Sequence, residues 1–318
     1  MSARGRCGSR VLKLHQNFAK RARAPTHRAV TTPRLPFQSV WVHYPICNAS
    51  CPKWPLLSYN HGLAGGDIDL VGYWAHFQQL ASYGFVVVVP DSCDVGCTSP
   101  NLGAPYTDCA GIQPLPPSPL WAAWYGEQLK AIEFAQNRSR DGDPIFVQID
   151  WKAGVGVAGH SMGGQATTMS ASAACAARWG IKAAALIHPE IGTLPWGNTG
   201  SNISVPVSTF TSSGDHLCPP ATAETTMQAF NSSAQGRTLP SAYRNVEGWS
   251  HLEPVLGAVF ENPLLATYTA AWFKVMLNGD RAAFWDLIYG GPTNPDSLCN
   301  SEKMVGCYAI NPPQSAAT

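Results

Sequence analysis

At 318 residues and 45% hydrophobic content, the chain suits one large α/β domain or two small ones. No apolar run approaches the roughly 20 residues of a membrane-spanning helix. The net charge of +1 hides an asymmetry: residues 1–34 hold nine Lys/Arg and no acid, and the remainder holds 12 basic and 20 acidic side chains. The acidic body excludes a basic face for nucleic acid.

Residues 1–36 carry no hydrophobic period and end in Pro33 and Pro36, so they read as a basic leader or disordered tail. Arg-containing and acid-free, they resemble an organelle transit peptide and lack the apolar core of a secretory signal. The rest, 37–318, is expected to be a single domain. Phe37 to Tyr44 alternates as an early strand, and Pro55 to Asn60 reads as a buried one, stopping at His61-Gly62-Leu63-Ala64-Gly65-Gly66. Trp74, Phe77 and Leu80 are spaced for a helix that closes at Gly84. Phe85 to Val89, a run of four valines after a phenylalanine, is the clearest strand in the chain.

Residues 92–120 form a cysteine- and proline-rich insertion, and a loop of that length tends to be functional. Trp121 to Asn137 reads as an amphipathic helix with Trp124, Leu129, Ile132 and Ala135 inward. Phe146 to Ile149 is expected to be extended. Val155 to His160 is a strand, and a helix should run from Ser161 to about Arg178. Strands follow at Ile181 to Ile187, Val205 to Thr211 and Ala242 to Val246, with helices at Ala221 to Phe230 and Leu264 to Leu277. This alternation argues an α/β fold, a mostly parallel sheet with helices on both faces. About seventeen residues separate Ile187 from Val205, too few for a lid domain, so the cleft is expected to be open.

Seven of the ten cysteines lie in loop sequence as close neighbours: Cys47 with Cys51; Cys93, Cys97 and Cys109; Cys299 with Cys307. Such groups read as disulfides of an oxidising compartment. No histidine stands at zinc-ligand spacing from the paired cysteines, and neither a metal nor a cofactor is expected. Glycosylation acceptors at Asn48, Asn137, Asn202 and Asn231 agree with a secretory route. The basic start offers a plastid or mitochondrial address as the alternative.

The chemistry centres on Gly159-His160-Ser161-Met162-Gly163, a Gly-x-Ser-x-Gly turn between an apolar strand and a small-residue helix. That context lifts a serine hydroxyl clear of a sheet on a strained elbow. Ester cleavage by serine needs a base, an acid to orient it, and donors for the oxyanion, and an α/β-hydrolase supplies them in the order Ser, acid, His. Asp215 follows a strand and Gly214, and His251 sits in the loop Gly248-Trp249-Ser250-His251 after the last of those strands. Glu190 is the fallback acid and His188 the weakest alternative base. His216 is too close to Asp215 in sequence to serve it. His160 reads as packing beside the elbow. Backbone N–H groups of Met162 and Leu63 are the expected oxyanion donors.

Gly-His-Ser-Met-Gly-Gly, Pro195-Trp196, Val205 to Asp215, Gly248 to His251 and Tyr268 to Lys274 together resemble the bacterial cutinase and polyester-hydrolase branch of the α/β-hydrolases. The resemblance spans roughly residues 38 to 307. It implies the α/β-hydrolase fold, a Ser161-Asp215-His251 triad, Leu63 and Met162 as oxyanion donors, and a C-terminal Cys299–Cys307 disulfide. It also implies a substrate-contacting aromatic at Trp196 and a cleft wall at Leu63; His160 is a further candidate for substrate binding. Leu63 stands where that family usually carries an aromatic, and the 92–120 insertion is foreign to it. The His-Gly turn is also similar to chlorophyllases and platelet-activating-factor-type acetylhydrolases.

The expected activity is carboxylic-ester hydrolysis on lipophilic or polymeric substrates by a monomer. A chlorophyllase-like or phospholipid-acetylhydrolase-like esterase is the alternative within the class. A catalytically silent α/β-hydrolase used for binding is the alternative outside it.

Overall fold

The computed structural model of the chain describes residues 8–15, 39–46, 52–62, 72–91, 109, 119–190, 199–256, 264–289, 295, 297–300 and 304–311. The strands are β1 (Gly8–His15), β2 (Ser39–Ile46), β3 (Leu56–Asn60), β4 (Val86–Asp91), β5 (Val155–His160), β6 (Ile181–Ile187), β7 (Val207–Ser212), β8 (Ser241–Val246) and β9 (Met304–Ile310). The helices are α1 (Trp74–Ser82), α2 (Pro119–Arg140), α3 (Met162–Ser170), α4 (Ala173–Trp179), α5 (Pro220–Ser232), α6 (Glu253–Leu256), α7 (Leu264–Asn278) and α8 (Arg281–Tyr289). The described strands make one sheet in the order β1-β2-β4-β3-β5-β6-β7-β8-β9. From β4 across to β8 every neighbouring pair is parallel, and antiparallel pairing is confined to β1, β2 and β9 at the margins.

Apolar runs without polar alternation mark strands covered on both faces. Every residue of β3, β5 and β7 is buried. Alternate residues then feed two cores. Leu56, Val86, Val88, Val157 and Leu186 pack with Leu129, Ile132 and Ala135 of α2 on one face. Leu57, Val87, Val89, Ala158 and Ile187 pack with Phe77 and Leu80 of α1 and Trp272 and Phe273 of α7 on the other. Each fully buried Val, Leu, Ile or Phe is worth about 1.5–3 kcal/mol, so the central strands hold much of the fold's stability. No described helix is long and apolar enough to cross a membrane.

Several elements differ from expectation. The basic start, read as without structure, contributes β1, which pairs with β2 along its whole length and covers its open edge. The helix expected from Ser161 to Arg178 breaks into α3 and α4. There Ser172 leaves helical geometry to bridge Ile203, while the Ser204 N–H and hydroxyl both donate to the Ala171 carbonyl. Phe146–Gln148 is a 3-10 turn, with only Ile149 bridging Trp54. α8 and β9 lacked a legible period.

The cysteine grouping needs correction too. Cys109 of the insertion pairs with Cys175 on α4, 66 residues away, rather than with a loop neighbour. Cys299 and Cys307 are paired, and Cys218 is free and buried. Cys47, Cys51, Cys93 and Cys97 lie outside the described residues. The Cys109–Cys175 bond closes a long loop, so Cys109→Ala with Cys175→Ala should cost about 2–4 kcal/mol in urea unfolding. An unchanged midpoint would mean that this bond is not formed in the folded protein.

Candidate functional site

The chain leaves β3 for β4 on one side of the sheet and later adds β5, β6, β7 and β8 on the other. The strand order therefore reverses between β3 and β5, and such switch points open a crevice at the carboxyl ends of the strands. Ser161 stands there, at the end of β5 and the start of α3. Its φ of 56° makes it one of three non-glycine residues with positive φ among those described. Strain of that kind persists only where the surroundings enforce it.

The enforcement is close backbone approach. A Cβ on Gly159 would lie 2.1 Å from the Gly163 carbonyl oxygen, and one on Gly163 would lie 2.4 Å from the carbonyl oxygens of Asn60 and His61. Gly163→Ala must therefore push α3 away from β3. It is expected to cost about 1–3 kcal/mol and most of the activity, read by thermal unfolding and ester turnover. The Ser161 hydroxyl is not consumed in capping α3. It donates instead to Nε2 of His251, 2.9 Å away.

His251 Nδ1–H donates to Asp215 Oδ2 at 2.8 Å. Asp215 follows β7 and is buried, with Oδ1 accepting the backbone N–H groups of Leu217 at 3.0 Å and Cys218 at 2.8 Å. Burial alone would raise its pKa, but hydrogen bonds from His188, His251 and the Cys218 N–H hold it well below the usual carboxylate range. The loops after β7 and β8 are tied by Ser212 Oγ, which donates to the Trp249 carbonyl at 2.6 Å. That tie fixes Asp215 relative to His251. Asp215 is the carboxylate that meets His251 Nδ1, whereas Glu190 gives its backbone N–H to the Ser161 carbonyl, and His216 is exposed.

Two histidines do more than sequence reading gave them. His160 Nε2–H donates to the His251 carbonyl at 2.8 Å, and Nδ1 accepts from the Tyr73 hydroxyl. That hydroxyl in turn accepts the Gly62 N–H at 3.1 Å. So His160 is not simply packing. It joins the elbow, the histidine loop and the glycine turn after β3. Burial, and then the neighbouring His251 and His188, hold its pKa well below the ordinary value, which keeps this chain of donors in one neutral pattern. His188, read as a spare base, instead donates from Nδ1 to the same Asp215 oxygen at 3.1 Å.

Cys218 was missed, although its place three residues past Asp215 was the available signal. Its thiol is pushed up to about 12 by burial and by the charges of Asp215 and Glu190, against a hydrogen bond with Ser161. It is an un-ionised neighbour of the hydroxyl. Met162 lies buried at the start of α3, where its N–H belongs to the positive end of the helix dipole. Leu63 and Trp196 lie outside the described residues, as does most of the 92–120 insertion.

The ligand atoms of His188, Asp215 and His251 fall within 4.8 Å of one another, close enough to suggest a cation. Coordination through both Nδ1 atoms would move both protons to Nε2. His251 could then no longer accept from Ser161, and His188 Nε2–H would have no acceptor among the described residues. The hydrogen bonds from both Nδ1 atoms to Asp215 Oδ2 keep His251 Nε2 free to accept from Ser161.

A family model described as PET hydrolase-like matches residues 124–304, more than half of the chain. It runs from α2 to the start of β9 and so contains Ser161, Asp215 and His251, while the glycine turn after β3 falls outside it. No curated protein matches the chain. Since the match takes in β5 to β8 and the loops that carry the serine, the carboxylate and the histidine, the chain belongs to the PET hydrolase-like family of α/β-hydrolases.

Proposed function

We propose that the chain is a serine carboxylic-ester hydrolase that cleaves lipophilic or polymeric esters through an acyl-enzyme. The observation that carries this reading is the continuous path from Ser161 Oγ to His251 Nε2 at 2.9 Å and from His251 Nδ1 to Asp215 Oδ2 at 2.8 Å. Ser161 attacks the ester carbonyl carbon as His251 Nε2 takes its proton. Asp215 keeps Nδ1 protonated and stabilises the imidazolium. The tetrahedral oxyanion takes hydrogen bonds from the backbone N–H groups of Met162 and Leu63. Collapse expels the alcohol with the proton from His251, and water repeats the sequence to free the acid and Ser161.

Trp196 and Leu63 are the proposed walls of the substrate cleft, and His160 is tied through the Tyr73 hydroxyl to Gly62. The disulfides Cys109–Cys175 and Cys299–Cys307 favour a secretory location, as does Asn202, exposed at its glycosylation acceptor. A silent binding protein has no use for a strained serine bonded to a buried His–Asp pair. The test is turnover of p-nitrophenyl butyrate beside release of soluble monoesters from a polyester film. Hydrolysis of both supports the reading. Soluble-ester hydrolysis alone removes the polymeric substrate from it, and hydrolysis of neither contradicts it.

A further inference from the structure

His188 has no role in the steps just given, yet its backbone and its ring are both held beside them. It follows the last residue of β6, fully buried, with φ at 42°, a conformation that a non-glycine residue adopts at a cost. Its backbone N–H is fixed by the Phe210 carbonyl at 2.7 Å. The ring reaches Asp215 Oδ2 at 3.1 Å, while Nε2 has no hydrogen-bond partner among the described residues. Strained backbone, an unpartnered buried nitrogen and a hydrogen bond to the carboxylate meet at one residue. Packing alone does not require that: Leu or Phe would fill the space without burying an unmet acceptor.

We propose that His188 is a positioning residue, a second imidazole donor that fixes the Asp215 carboxylate and shares its charge with His251. The inference rests on the reading of Ser161, His251 and Asp215 as nucleophile, base and acid. Asp215 offers Oδ1 to two backbone N–H groups and Oδ2 to two rings, so its plane is set from both ends. Because His188 and His251 share one oxygen, each draws on charge that the other would otherwise hold. Removing the His188 donor lets the carboxylate rotate and leaves its full charge on His251.

Other ionisable groups border the pair: His160, 6.2 Å from His188 between ring centres; Glu253 on α6; and Glu190 and Cys218 beside Ser161 and Asp215. Burial lowers the pKa of His188 despite Asp215. His188 therefore stays a neutral donor while the base cycles.

The experiment compares His188→Leu, which has no donor, with His188→Asn, whose side-chain N–H can replace Nδ1–H and which tolerates positive φ. In His188→Leu the acid limb of kcat/KM should move up by about 0.5–1 pH unit, because a less shared carboxylate holds the proton on the base more tightly. Its kcat should fall about tenfold with KM nearly unchanged, since the lost contact orients the acid and does not touch substrate. His188→Asn should restore both to within about threefold. If His188→Leu does not fold, His188→Gly removes the donor without backbone strain and is read in the same way.

NMR titration of the His251 ring in histidine-labelled protein gives a readout independent of turnover. It should move in the same direction in the donor-less variant and not in His188→Asn. Superimposable titrations in all three proteins, or equal losses in both substitutions, overturn the inference. Failure of the wild type to hydrolyse any ester would instead overturn the reading beneath it, and the titration would still decide the role of His188.

Discussion

Asp215→Asn should lower kcat by about four orders of magnitude while leaving the protein folded, as removal of the acid's charge does in serine triads. The mechanism is specific to the two rings on Oδ2. An asparagine can keep accepting the Leu217 and Cys218 N–H groups through its oxygen, so the turn after β7 survives. Its amide nitrogen then faces the Nδ1 atoms of His188 and His251 and needs a lone pair there. That moves the His251 proton to Nε2 and leaves Ser161 without an acceptor. Turnover of p-nitrophenyl butyrate, with a thermal melt as the folding control, checks this. Activity within tenfold of wild type, or a larger loss in Glu190→Gln, would place the acid elsewhere.

Acid should unfold the protein early. Burial lowers His43 and His76 to about 3 and His61 to about 4, and it also lowers His160 and His188. Each is neutral when folded and takes up a proton when unfolded, once the pH falls below the ordinary histidine value of about 6.5. Their contribution is therefore complete above that pH and is lost as pH falls toward their folded values. Each group costs roughly 1 kcal/mol per pH unit in that window, against a total stability of about 5–15 kcal/mol for an ordinary domain. Asp215 does not offset the loss, because its stabilising effect fades only below the ordinary carboxylate range. Urea midpoints should fall steeply from pH 7 to pH 5, with cooperative unfolding near pH 5 in the absence of denaturant. A midpoint flat down to pH 4.5 would contradict the burial of these neutral rings.

Strand–elbow–helix patterning made the elbow at Ser161 legible, because an apolar strand entering a Gly-x-Ser-x-Gly turn and a small-residue helix leaving it specify that local geometry. Asp215 and His251 were legible from their positions after strands. The four valines of β4 and the apolar runs of β3, β5 and β6 were legible because a strand buried on both faces needs little else. What escaped depends on tertiary partners. β1 is a short basic segment whose pairing with β2 is not written in its own period, and the break at Ser172 exists because Ile203 comes alongside. Cys109 finds Cys175 only when α4 is folded. The hydrogen bonds of His160 and His188 run to residues 91 and 27 positions away, so no local pattern announces them.

The central claim is that Ser161 is a nucleophile activated by His251. Incubation with a fluorophosphonate, followed by intact-protein and peptide mass spectrometry, tests it most directly. The account predicts one phosphonyl group per chain, on the peptide containing Ser161, with none in Ser161→Ala and much slower labelling in His251→Ala. Equal labelling of wild type and Ser161→Ala, or an adduct on another residue, would contradict it.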